Sequence, residues 1–232
     1  MIINKISVII PCFNEKKTIS KLIEEIKKFK TYDLEIIVVD DGSTDGTQKI
    51  LSDLNNDLIQ VINHDKNFGK GKSLRTGFKV ATGDIIIVQD ADLEYSPNDY
   101  SSLIRPFIES DADVVYGSRF LGGGGFTRLH YFYHFLANKI LTFISNIFTN
   151  LNMSDMETGF KVFKRDAINS INLKEDSFGI EPEITVKLAK KKFKFYEVGI
   201  TYKGRSYEEG KKITLKDAFW ALYCIIRYRF FD

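Results

Sequence analysis

The sequence is short of the residues that mark the less ordinary classes of protein. Its 232 residues include four prolines, two cysteines and one tryptophan, and 44% of them are apolar while 28% are charged. These fractions are close to the averages for globular domains, and they exclude disordered, collagen-like and coiled-coil chains. Basic and acidic side chains number 33 and 31, so the net charge of +2 predicts no nucleic-acid partner.

Paired cysteines and long apolar runs are also missing. Cys12 and Cys224 lie in apolar contexts and match no metal-binding spacing, which favours a reduced intracellular compartment over secretion. Residues 1–11 have the pattern of a strand and lack the cleavage site of a signal peptide. The apolar run at residues 218–226 is far shorter than the roughly 20 residues that a spanning helix needs. We therefore expect a cytoplasmic protein that is at most peripheral at a membrane.

Charge is unevenly distributed along the chain. Residues 187–229 carry 12 Lys and Arg against 4 Asp and Glu, a net charge of +8 that leaves −6 on the remainder. A basic C-terminal quarter suits an anionic ligand or an anionic surface. A solvated helix face would explain Lys187 and residues 190–192, but it explains Arg205 and Lys211 less well.

The first half alternates β-branched runs with helical patterns. Strands are predicted over residues 6–10, 35–40, 58–63, 84–89 and 113–116, and helices over 18–29, 47–54, 73–81 and 97–108. Continuous Ile/Val strands with helices between them predict an α/β domain, built on a mainly parallel, Rossmann-like sheet flanked by helices. In such sheets ligands bind at the carboxyl ends of the strands.

The second half is less regular. Four glycines at residues 122–125 predict a hinge, and apolar residues at helical spacing follow over residues 129–151. A strand over 193–202 and an aromatic helix over 215–228 complete the chain. The apolar stripe has two interpretations, which are packing in the core and a helix lying at a membrane interface beside a lipid tail.

Polar residues follow the first two predicted strands. Pro11, Asn14 and Glu15 come after the first, and Asp40 and Asp41 come after the second. Glycines and an N-cap candidate, Asp45, explain part of the second segment as a strand-to-helix turn. They do not explain two adjacent acids at the end of a buried strand, where charge is costly without a ligand. Two carboxylates there can accept hydrogen bonds from a ribose and a base.

Two further clusters point to phosphate chemistry. Residues 67–73 (NFGKGKS) combine glycines, lysines and a helix start, so they are read either as a phosphate-binding loop or as a solvated turn. The Walker A spacing is absent. Asp90 and Asp92 follow the Ile-rich strand, with Glu94 close behind. Acids at i and i+2 can reach one hard cation that leaves positions open for substrate phosphates.

The order of these motifs resembles the family 2 inverting glycosyltransferases of the GT-A fold. Within that family the sequence is most similar to the branch of dolichol-phosphate mannosyl- and glucosyltransferases and bacterial polyprenyl-phosphate sugar transferases. The resemblance spans residues 1–232 as one domain, with a nucleotide-binding half at 1–118 and an acceptor half at 119–232. It is carried by PCFNE (11–15), DDGSTDGT (40–47), NFGKGKSLRTG (67–77), DADLE (90–94), GSRF (117–120), DMETGFKVFKR (155–165), EPE (181–183) and GRSYEEGKKI (204–213).

The resemblance implies a role for each matching residue. Those expected to bind the nucleotide sugar are Pro11, Asn14, Glu15, Asp40, Asp41, Lys72, Asp90, Ala91 and Lys211. Asp90, Asp92 and Glu94 would hold Mg²⁺ or Mn²⁺ at the donor diphosphate. Arg119 and Arg128 would bind the acceptor phosphate. Arg205 and Lys211 would belong to a C-terminal loop that closes over the diphosphate.

The resemblance also implies a reaction, in which a hexose moves with inversion from a GDP-mannose- or UDP-glucose-type donor to a polyprenyl or dolichyl phosphate. Catalytic roles fall to Asp92, Asp155, Glu157 and Arg205. A hydroxyl acceptor would need Asp155 or Glu157 as a general base. A phosphate acceptor would not, because its second pKa is about 6. A membrane surface or a membrane-protein partner is expected. One departure is that aromatic residues, His130 and His134 replace a hydroxyl residue common in relatives.

Other classes fit the sequence less well. A dinucleotide-dependent dehydrogenase would need G-x-G-x-x-G after the first strand, and that motif is absent. A nucleotidyltransferase would carry a glycine- and arginine-rich loop there, and a silent binding protein would not need intact Asp90, Asp92 and Arg205. The alternative within the family is transfer to a glycan or another soluble hydroxyl acceptor.

Overall fold

The computed structural model describes residues 1–122, 128, 131–205 and 215–232. The strands in these residues are β1 (Lys5–Cys12), β2 (Asp33–Asp40), β3 (Ile59–Asn63), β4 (Ile85–Val88), β5 (Val114–Ser118), β6 (Lys161–Lys164) and β7 (Phe195–Gly199). The helices are α1 (Ile19–Lys27), α2 (Thr47–Leu54), α3 (Lys70–Val80), α4 (Tyr100–Glu109), α5 (Phe132–Thr149), α6 (Arg165–Asn169), α7 (Ile180–Lys190) and α8 (Leu215–Phe230).

The seven strands form one sheet in the order β3-β2-β1-β4-β6-β5-β7. Every pairing is parallel except those of β6, which runs antiparallel to both β4 and β5. The predicted mainly parallel α/β sheet is therefore confirmed. The chain moves outward from β1 to β3 and then returns to the other side of β1 with β4, so a crevice opens between the ends of β1 and β4.

Helices cover both faces of the sheet. One buried cluster joins apolar side chains of α1, α2 and α4 to one face, and a second joins those of α3, α5, α6, α7 and α8 to the other. The central strands β1, β2 and β4 are almost wholly buried and carry Ile and Val on both faces. Burial on both faces is why these strands read as continuous apolar runs.

The second half departs from its predicted boundaries. The strand expected over 193–202 is shorter, as β7, and it lies at the edge of the sheet with every residue half-buried. The sequence pattern predicted neither β6, which has only four residues with a lysine at each end, nor α6. The glycine hinge is described only at Gly122, since residues 123–125 lie outside the described part of the chain.

The lysines predicted to form a solvated helix face divide into two groups. Residues 190–192 are exposed, as expected. Lys187 is buried, and its ammonium lies 2.8 Å from the Glu183 carboxylate and also contacts Asp232. The expectation for Lys187 was wrong because a single lysine within a helical pattern does not reveal a buried acid one turn earlier.

Helix α5 presents its apolar side to solvent. Its buried residues are mostly polar or small, namely Asn138, Leu141, Thr142, Ser145 and Thr149. The exposed large apolar residues on α5 and the turn before it are Tyr131, Phe132, Tyr133, Phe135, Leu136, Ile140, Phe143 and Ile147. The predicted apolar stripe is thus real, but most of it does not enter the core.

Helix α8 packs beside α5 and continues the same kind of surface. The rings of Phe148 and Phe230 meet edge to face, with their centroids 5.7 Å apart. Exposed apolar residues on α8 and its C-terminal end are Phe219, Trp220, Tyr223, Ile226, Phe230 and Phe231. We call the exposed apolar residues of α5 and α8 together the α5–α8 surface. Within the described residues, neither helix nor any other meets the length and hydropathy of a membrane-crossing segment.

Candidate active site

A cavity of about 830 Å³ opens where the carboxyl ends of the parallel strands meet. Because β6 runs antiparallel, the segment that precedes it, residues 155–160, arrives at the same edge of the sheet. The cavity wall therefore gathers residues that are distant in sequence, from Pro11 near the end of β1 to Arg119 after β5 and Arg205 after β7.

Asp41 lines the cavity and also holds the loop before α3. Its carboxylate accepts hydrogen bonds from the backbone N–H groups of Phe68 at 3.1 Å and Gly69 at 2.6 Å. His64 Nδ1 lies 2.7 Å from Asp41 Oδ1. The acid at the end of β2 thus fixes the glycine-containing loop in its place at the cavity rim.

Asp40 lies behind the cavity rather than in its wall. It is fully buried, and its carboxylate accepts hydrogen bonds from the backbone N–H and the hydroxyl of Ser43. In this structure Asp40 supports the turn after β2, and its contact with a ribose stays a prediction. Asn14 has a comparable role, since its side-chain oxygen accepts a hydrogen bond from the Thr44 N–H at 2.8 Å.

The glycine loop rests directly on the backbone of residues 175–177. A Cβ on Gly69 would lie 2.4 Å from the Asp176 carbonyl oxygen, and one on Gly71 would lie 2.4 Å from that of Glu175. Gly69 also has φ +108°, which other residues rarely adopt. The backbone N–H of Lys72 donates to the same Asp176 oxygen at 3.0 Å, but Lys72 does not line the cavity.

Lys70, the first residue of α3, joins two acids inside the cavity. Its ammonium lies 2.8 Å from Asp90 Oδ1 and 3.0 Å from Glu181 Oε1. Burial opposes the charge on Lys70, but the two carboxylates outweigh that effect and raise its pKa. Asp90, the first acid after β4, therefore shares a fixed cation with Glu181.

Arg205 bridges the opposite side of the cavity. Its guanidinium donates to both carboxylate oxygens of Glu15, at 3.1 and 3.0 Å, and Nη2 lies 3.8 Å from Asp92 Oδ2. The Arg205 N–H donates to Glu94 Oε1 at 2.8 Å, and the Tyr202 hydroxyl donates to Glu94 Oε2 at 2.5 Å. Glu94 thereby anchors the segment that carries Arg205.

The acids after β4 supply part of the ligand set that a divalent cation needs. Asp90 and Asp92 line one cavity and offer only carboxylate oxygens, and the cationic groups of Lys70 and Arg205 already lie against them. Mg²⁺ and Mn²⁺ are commonly held by one or two protein carboxylates together with substrate phosphates and water. Within the described ranges no group of three or more His, Cys, Asp or Glu side chains is arranged to hold a metal ion by itself, so phosphate oxygens would have to complete the shell.

Arg119 is held rigidly by Asp155. Its Nε and Nη2 donate to the two carboxylate oxygens at 2.7 Å each, and Asn138 on α5 donates to Asp155 Oδ1 at 3.0 Å. Burial alone would raise the pKa of Asp155, but the Arg119 charge and these hydrogen bonds lower it below its ordinary value. An acid so paired is poorly suited to serve as a general base, so we regard Asp155 as the residue that positions Arg119.

Glu157 has a different environment from Asp155. Burial, reinforced by the nearby charge of Glu181, raises the pKa of Glu157 to about 8. Lys161 lies close by, and its ammonium donates to the carbonyl oxygens of Met156 and Thr158. Burial lowers the pKa of Lys161. The two acids of the predicted DMETG motif therefore differ in protonation at neutral pH.

The far wall of the cavity comes from the two helices of the α5–α8 surface. Tyr133, His134, Ala137, Asn138 and Leu141 line it from α5, and Asp217, Ala218 and Ala221 line it from α8. The donor-side motifs and these helices thus enclose one space. Most of the exposed apolar residues described above lie on the outer faces of the same helices, whereas Tyr133 and Phe135 also line the cavity.

The structure places most of the predicted residues together. Those that line the cavity are Pro11, Glu15, Asp41, Asp90, Ala91, Asp92, Glu94, Arg119, Glu157 and Arg205. Those that stand outside its wall are Asn14, Asp40, Lys72, Arg128 and Asp155. Arg128 donates a hydrogen bond to the Gly204 carbonyl oxygen at 3.0 Å, which links the hinge region to the Arg205 segment. Lys211 and His130 lie outside the described residues.

Two cavity residues were missed by the sequence reasoning. Lys70 belongs to the GKGK segment, but the neighbouring Lys72 was chosen for ligand binding, and both lysines fit the motif equally well. Glu181 was recognised only as part of the EPE motif, with no role. An acid at the first turn of a helix is commonly explained by the helix dipole, so the sequence alone gave no reason to place it in the cavity.

Known proteins share both the sequence and the fold. Residues 7–171 match the model of the glycosyl transferase family 2. A dolichol-phosphate mannosyltransferase from Pyrococcus furiosus is 32% identical over 90% of this chain, which spans 60% of that protein's length. An uncharacterised protein from Methanocaldococcus jannaschii is 30% identical over 88% of this chain and 93% of its own.

A solved structure has the same architecture across nearly the whole chain. Glucosyl-3-phosphoglycerate synthase from Mycobacterium tuberculosis, crystallised with Mn²⁺, UDP and phosphoglyceric acid, superposes with a TM-score of 0.75 over 99% of this chain and 80% of its own, at 19% identity. At that identity the likeness concerns the GT-A fold alone. With the family match over most of the sequence and the cavity at the strand ends, the chain belongs to glycosyltransferase family 2.

Proposed function

We propose that this glycosyltransferase moves a hexosyl group, with inversion, from a nucleotide sugar to a polyprenyl phosphate at a membrane surface. The observation that carries the proposal is the shape of the cavity, which runs from the donor-side motifs to a wall formed by α5 and α8. The outer faces of these two helices expose large aromatic and aliphatic side chains. An acceptor with a phosphate head and an apolar tail matches both features.

The donor nucleotide would occupy the β1 and β2 side of the cavity. Pro11, Glu15 and Asp41 line that side, and Gly69 and Lys70 at the start of α3 line the same cavity. Arg205 now holds Glu15 through two hydrogen bonds, and its cationic group is placed to transfer to a diphosphate when one enters. Lys211, in the same sequence motif, would assist from the undescribed segment.

Asp90 and Asp92 would hold Mg²⁺ or Mn²⁺ against the donor diphosphate. When bound, the cation supplies charge that stabilises the departing nucleoside diphosphate. Lys70 and Arg205 add fixed positive charge at the same point. Such charge stabilises a developing anion more strongly in a buried site than it would in water. Glu94 anchors the Arg205 segment and remains only a proposed third ligand.

The acceptor phosphate would lie against Arg119, which Asp155 holds in one orientation. Such a phosphate is largely dianionic at neutral pH and can attack the sugar C1 without a base. What it needs is a fixed cation that offsets its charge and aims it, because positioning alone accounts for a large part of the rate of such reactions. Arg128 would contribute from the neighbouring segment.

Transfer into lipid tests the proposal directly. Purified protein, Mn²⁺ and a radiolabelled panel of GDP-mannose, UDP-glucose and UDP-N-acetylglucosamine would be incubated with polyprenyl phosphate in liposomes. We expect label from at least one donor to enter the lipid phase with acid-labile linkage, and to be absent when the lipid is a polyprenol without phosphate. Label that moves to the unphosphorylated alcohol, or that never leaves the aqueous phase, would overturn the proposal.

One observation favours the alternative, transfer to a glycan or other soluble hydroxyl acceptor. Glu157 is a half-buried acid in the cavity, and its raised pKa of about 8 lies near neutral pH, as a general base requires. In that case Arg119 would be dispensable and Glu157→Gln would abolish turnover. The same liposome assay, supplemented with soluble oligosaccharides, would reveal such an acceptor.

A further inference from the structure

Glu175 is a buried acid that lies outside the cavity wall and takes its side-chain partners from α8. The indole N–H of Trp220 donates to Glu175 Oε2 at 2.8 Å, and the Tyr228 hydroxyl donates to Oε1 at 2.5 Å. These bonds satisfy both oxygens of an acid that would be costly to bury without partners. The Glu175 side chain therefore holds the inner face of α8.

The backbone of the same segment supports the glycine loop. A Cβ on Gly71 would lie 2.4 Å from the Glu175 carbonyl oxygen. Gly69, which lines the cavity, lies as close to the carbonyl oxygen of Asp176, and the Lys72 N–H donates to that oxygen at 3.0 Å. Because atoms packed this closely leave no gap, a shift of residues 175–176 is passed to the wall of the proposed donor site.

Helix α7 joins the same contacts at its N-terminal end. The Glu183 carboxylate accepts the backbone N–H groups of Lys174 and Glu175 at 2.8 Å each. A Cβ on Gly179 would lie 2.7 Å from Glu175 Oε2 and 2.9 Å from Trp220 Nε1. Continuous contacts thus run from α8 through Glu175 to the glycine loop.

Trp220 lies at the outer end of this path. It is 45% exposed on the α5–α8 surface, while its indole N–H points inward to Glu175. A membrane that takes up the exposed part of the ring restricts the arrangements of α8, and with them those of the acid that the ring contacts. Ordering the segment under the glycine loop in advance lowers the entropy that nucleotide binding has to offset.

We infer that Glu175 couples the membrane-bound position of α8 to the glycine loop, so that the membrane and the nucleotide bind cooperatively. Glu175 is a positioning residue in this scheme, because neither it nor Trp220 is among the described residues that line the cavity. The inference rests on the proposed function, since it takes the α5–α8 surface as the side that meets the membrane. By linkage, vesicles tighten nucleotide binding by the same factor by which the nucleotide tightens vesicle binding.

Binding measurements on wild type give this factor directly. GDP and UDP with Mg²⁺ would be titrated calorimetrically, with and without vesicles of equal parts phosphatidylcholine and phosphatidylserine. We expect the vesicles to tighten binding of the preferred nucleotide about 5-fold to 10-fold, the lower part of the range usual for coupled sites. Sedimentation with the same vesicles should show a matching gain when the nucleotide is added. Two affinities that ignore each other would overturn the inference.

Variants outside the cavity wall assign the coupling to Glu175. We expect Trp220→Phe, which keeps a ring but loses the N–H, and Glu175→Met to leave a vesicle effect of less than about twofold. Glu175→Gln should retain most of the effect, because its amide can accept from Trp220 and donate to the Tyr228 hydroxyl. Tyr196→Phe is the matched control, since its hydroxyl donates to Asp111 at the edge of the sheet, and its coupling should equal that of wild type.

Fluorescence supplies a readout that a merely structural role would not move. Trp220 is the only tryptophan in the chain. Nucleotide added without vesicles should therefore change its emission in wild type and in Glu175→Gln, but not in Glu175→Met saturated with the same nucleotide. An emission change that persists in Glu175→Met would show that the signal reaches α8 by another route, and it would overturn the role of Glu175.

The outcomes distinguish the inference from the function on which it rests. If wild type binds the nucleotide but no vesicle, the proposed function at a membrane fails, and the inference fails with it. If wild type binds both and neither alters the affinity for the other, the inference is wrong while the function stands. Should Glu175→Met fail to fold, Trp220→Phe and the wild-type coupling still decide the question.

Discussion

At the scale of the residue, Arg119 shows how a buried charge can be prepared for a ligand. Its guanidinium is oriented by two hydrogen bonds to Asp155, and its side chain is only 12% exposed. We predict that Arg119→Ala lowers transfer to polyprenyl phosphate at least 100-fold, while the nucleotide-sugar affinity of the folded variant changes less than threefold. Because the substitution leaves Asp155 buried without its cation, it should also lower the free energy of unfolding. Steady-state kinetics and calorimetry measure the two effects. Arg105→Ala, on the exposed face of α4, is the control, and equal loss of donor binding would contradict the assignment.

The partner acid should behave differently from a catalytic base. Asp155→Asn leaves the Arg119 charge buried and without its anion, and removing one member of a buried pair costs about 3–5 kcal/mol. We therefore predict a clear fall in the free energy of unfolding, measured by urea denaturation, together with lost activity. A variant that keeps full stability but loses all turnover would instead support a direct role for Asp155 in proton transfer.

Asp92 provides the test of the metal site. Its carboxylate lines the cavity and lies near Arg205, so the fold does not depend on a buried pair at this position. We predict that Asp92→Asn abolishes transfer and leaves the thermal unfolding midpoint within about 2 °C of wild type. EDTA should abolish wild-type activity, and added Mn²⁺ should restore it. The exposed Asp57→Asn serves as a control, and persistent activity in EDTA would remove the metal from the proposal.

Glu157 predicts a pH dependence of stability with a defined sign. Its pKa is raised by burial from an ordinary value of 4.5 to about 8, so the folded protein holds a proton that the unfolded chain releases between these values. The contribution of Glu157 to stability is therefore full below about pH 4.5 and is lost as the pH rises through 8. We predict that the difference in unfolding free energy between wild type and Glu157→Gln shifts against wild type from pH 5 to pH 9. A pH-independent difference would show that Glu157 titrates normally.

At the scale of the element, the sequence predicted those strands whose burial is visible in their own run of apolar residues. The strands β1, β2 and β4 are buried on both faces, and their Ile/Val runs are sufficient to identify them. By contrast β6 is four residues long, and its place in the sheet depends on pairing with β4 and β5 rather than on its own pattern. Long-range pairing of this kind leaves little trace in a short segment.

The candidate site was predictable to the same extent. Residues directly after β1 and β4 were placed in the cavity because strand direction alone brings them to one edge. Of the two adjacent acids, Asp41 lines the cavity and Asp40 is buried behind it, because neighbouring residues at a strand end point in opposite directions and the sequence does not say which one faces the cavity. Glu181 was missed because its partner, Lys70, is more than 100 residues away in the chain.

Helix α5 illustrates a limit of periodicity. An apolar stripe shows which residues share a face, but it does not show whether that face meets the core. Here the polar face is buried, since Asn138 and Thr142 hold the DMETG segment through hydrogen bonds to Asp155 and the Met156 N–H. The apolar face is left outside. The helix is thus used to position the site on one side and to present a surface on the other.

The exposed face of α5 leads to a prediction that separates its two interpretations. Phe143 is 65% exposed and Leu141, two residues earlier, is buried. We predict that Phe143→Ser weakens binding to liposomes about 10-fold with little change in stability, because an inserted apolar side chain contributes about 1.5–3 kcal/mol. Leu141→Ser should instead lower the unfolding midpoint. Sedimentation with vesicles and thermal denaturation measure both properties, and the reverse pattern would place the stripe in a protein interface or core.

At the scale of the whole molecule, charge and apolar surface lie in the same part of the chain. The acidic remainder contains the donor-side acids, and the C-terminal quarter with its net charge of +8 contains α8. Arg227 and Arg229 lie in the last turn of α8, beside exposed aromatic residues. This arrangement would orient the molecule so that its basic, apolar side meets an anionic surface while the nucleotide side stays in water.

The combination predicts how vesicle composition and salt should act on binding. Each basic residue near an anionic membrane contributes about 1 kcal/mol, an effect that falls off within a Debye length of about 8 Å at physiological ionic strength. We therefore predict tighter binding to vesicles that contain about 30% phosphatidylserine than to vesicles of pure phosphatidylcholine. Attraction of this kind is expected at roughly that anionic content. Added salt should remove most of this difference, whereas the residual binding to neutral vesicles should persist in salt and disappear with Phe143→Ser.

The double variant Arg227→Gln with Arg229→Gln should weaken only the part of the binding that depends on anionic lipid. Binding that ignores both lipid charge and these arginines would mean that the surface of α5 and α8 is covered by a protein partner and not by lipid.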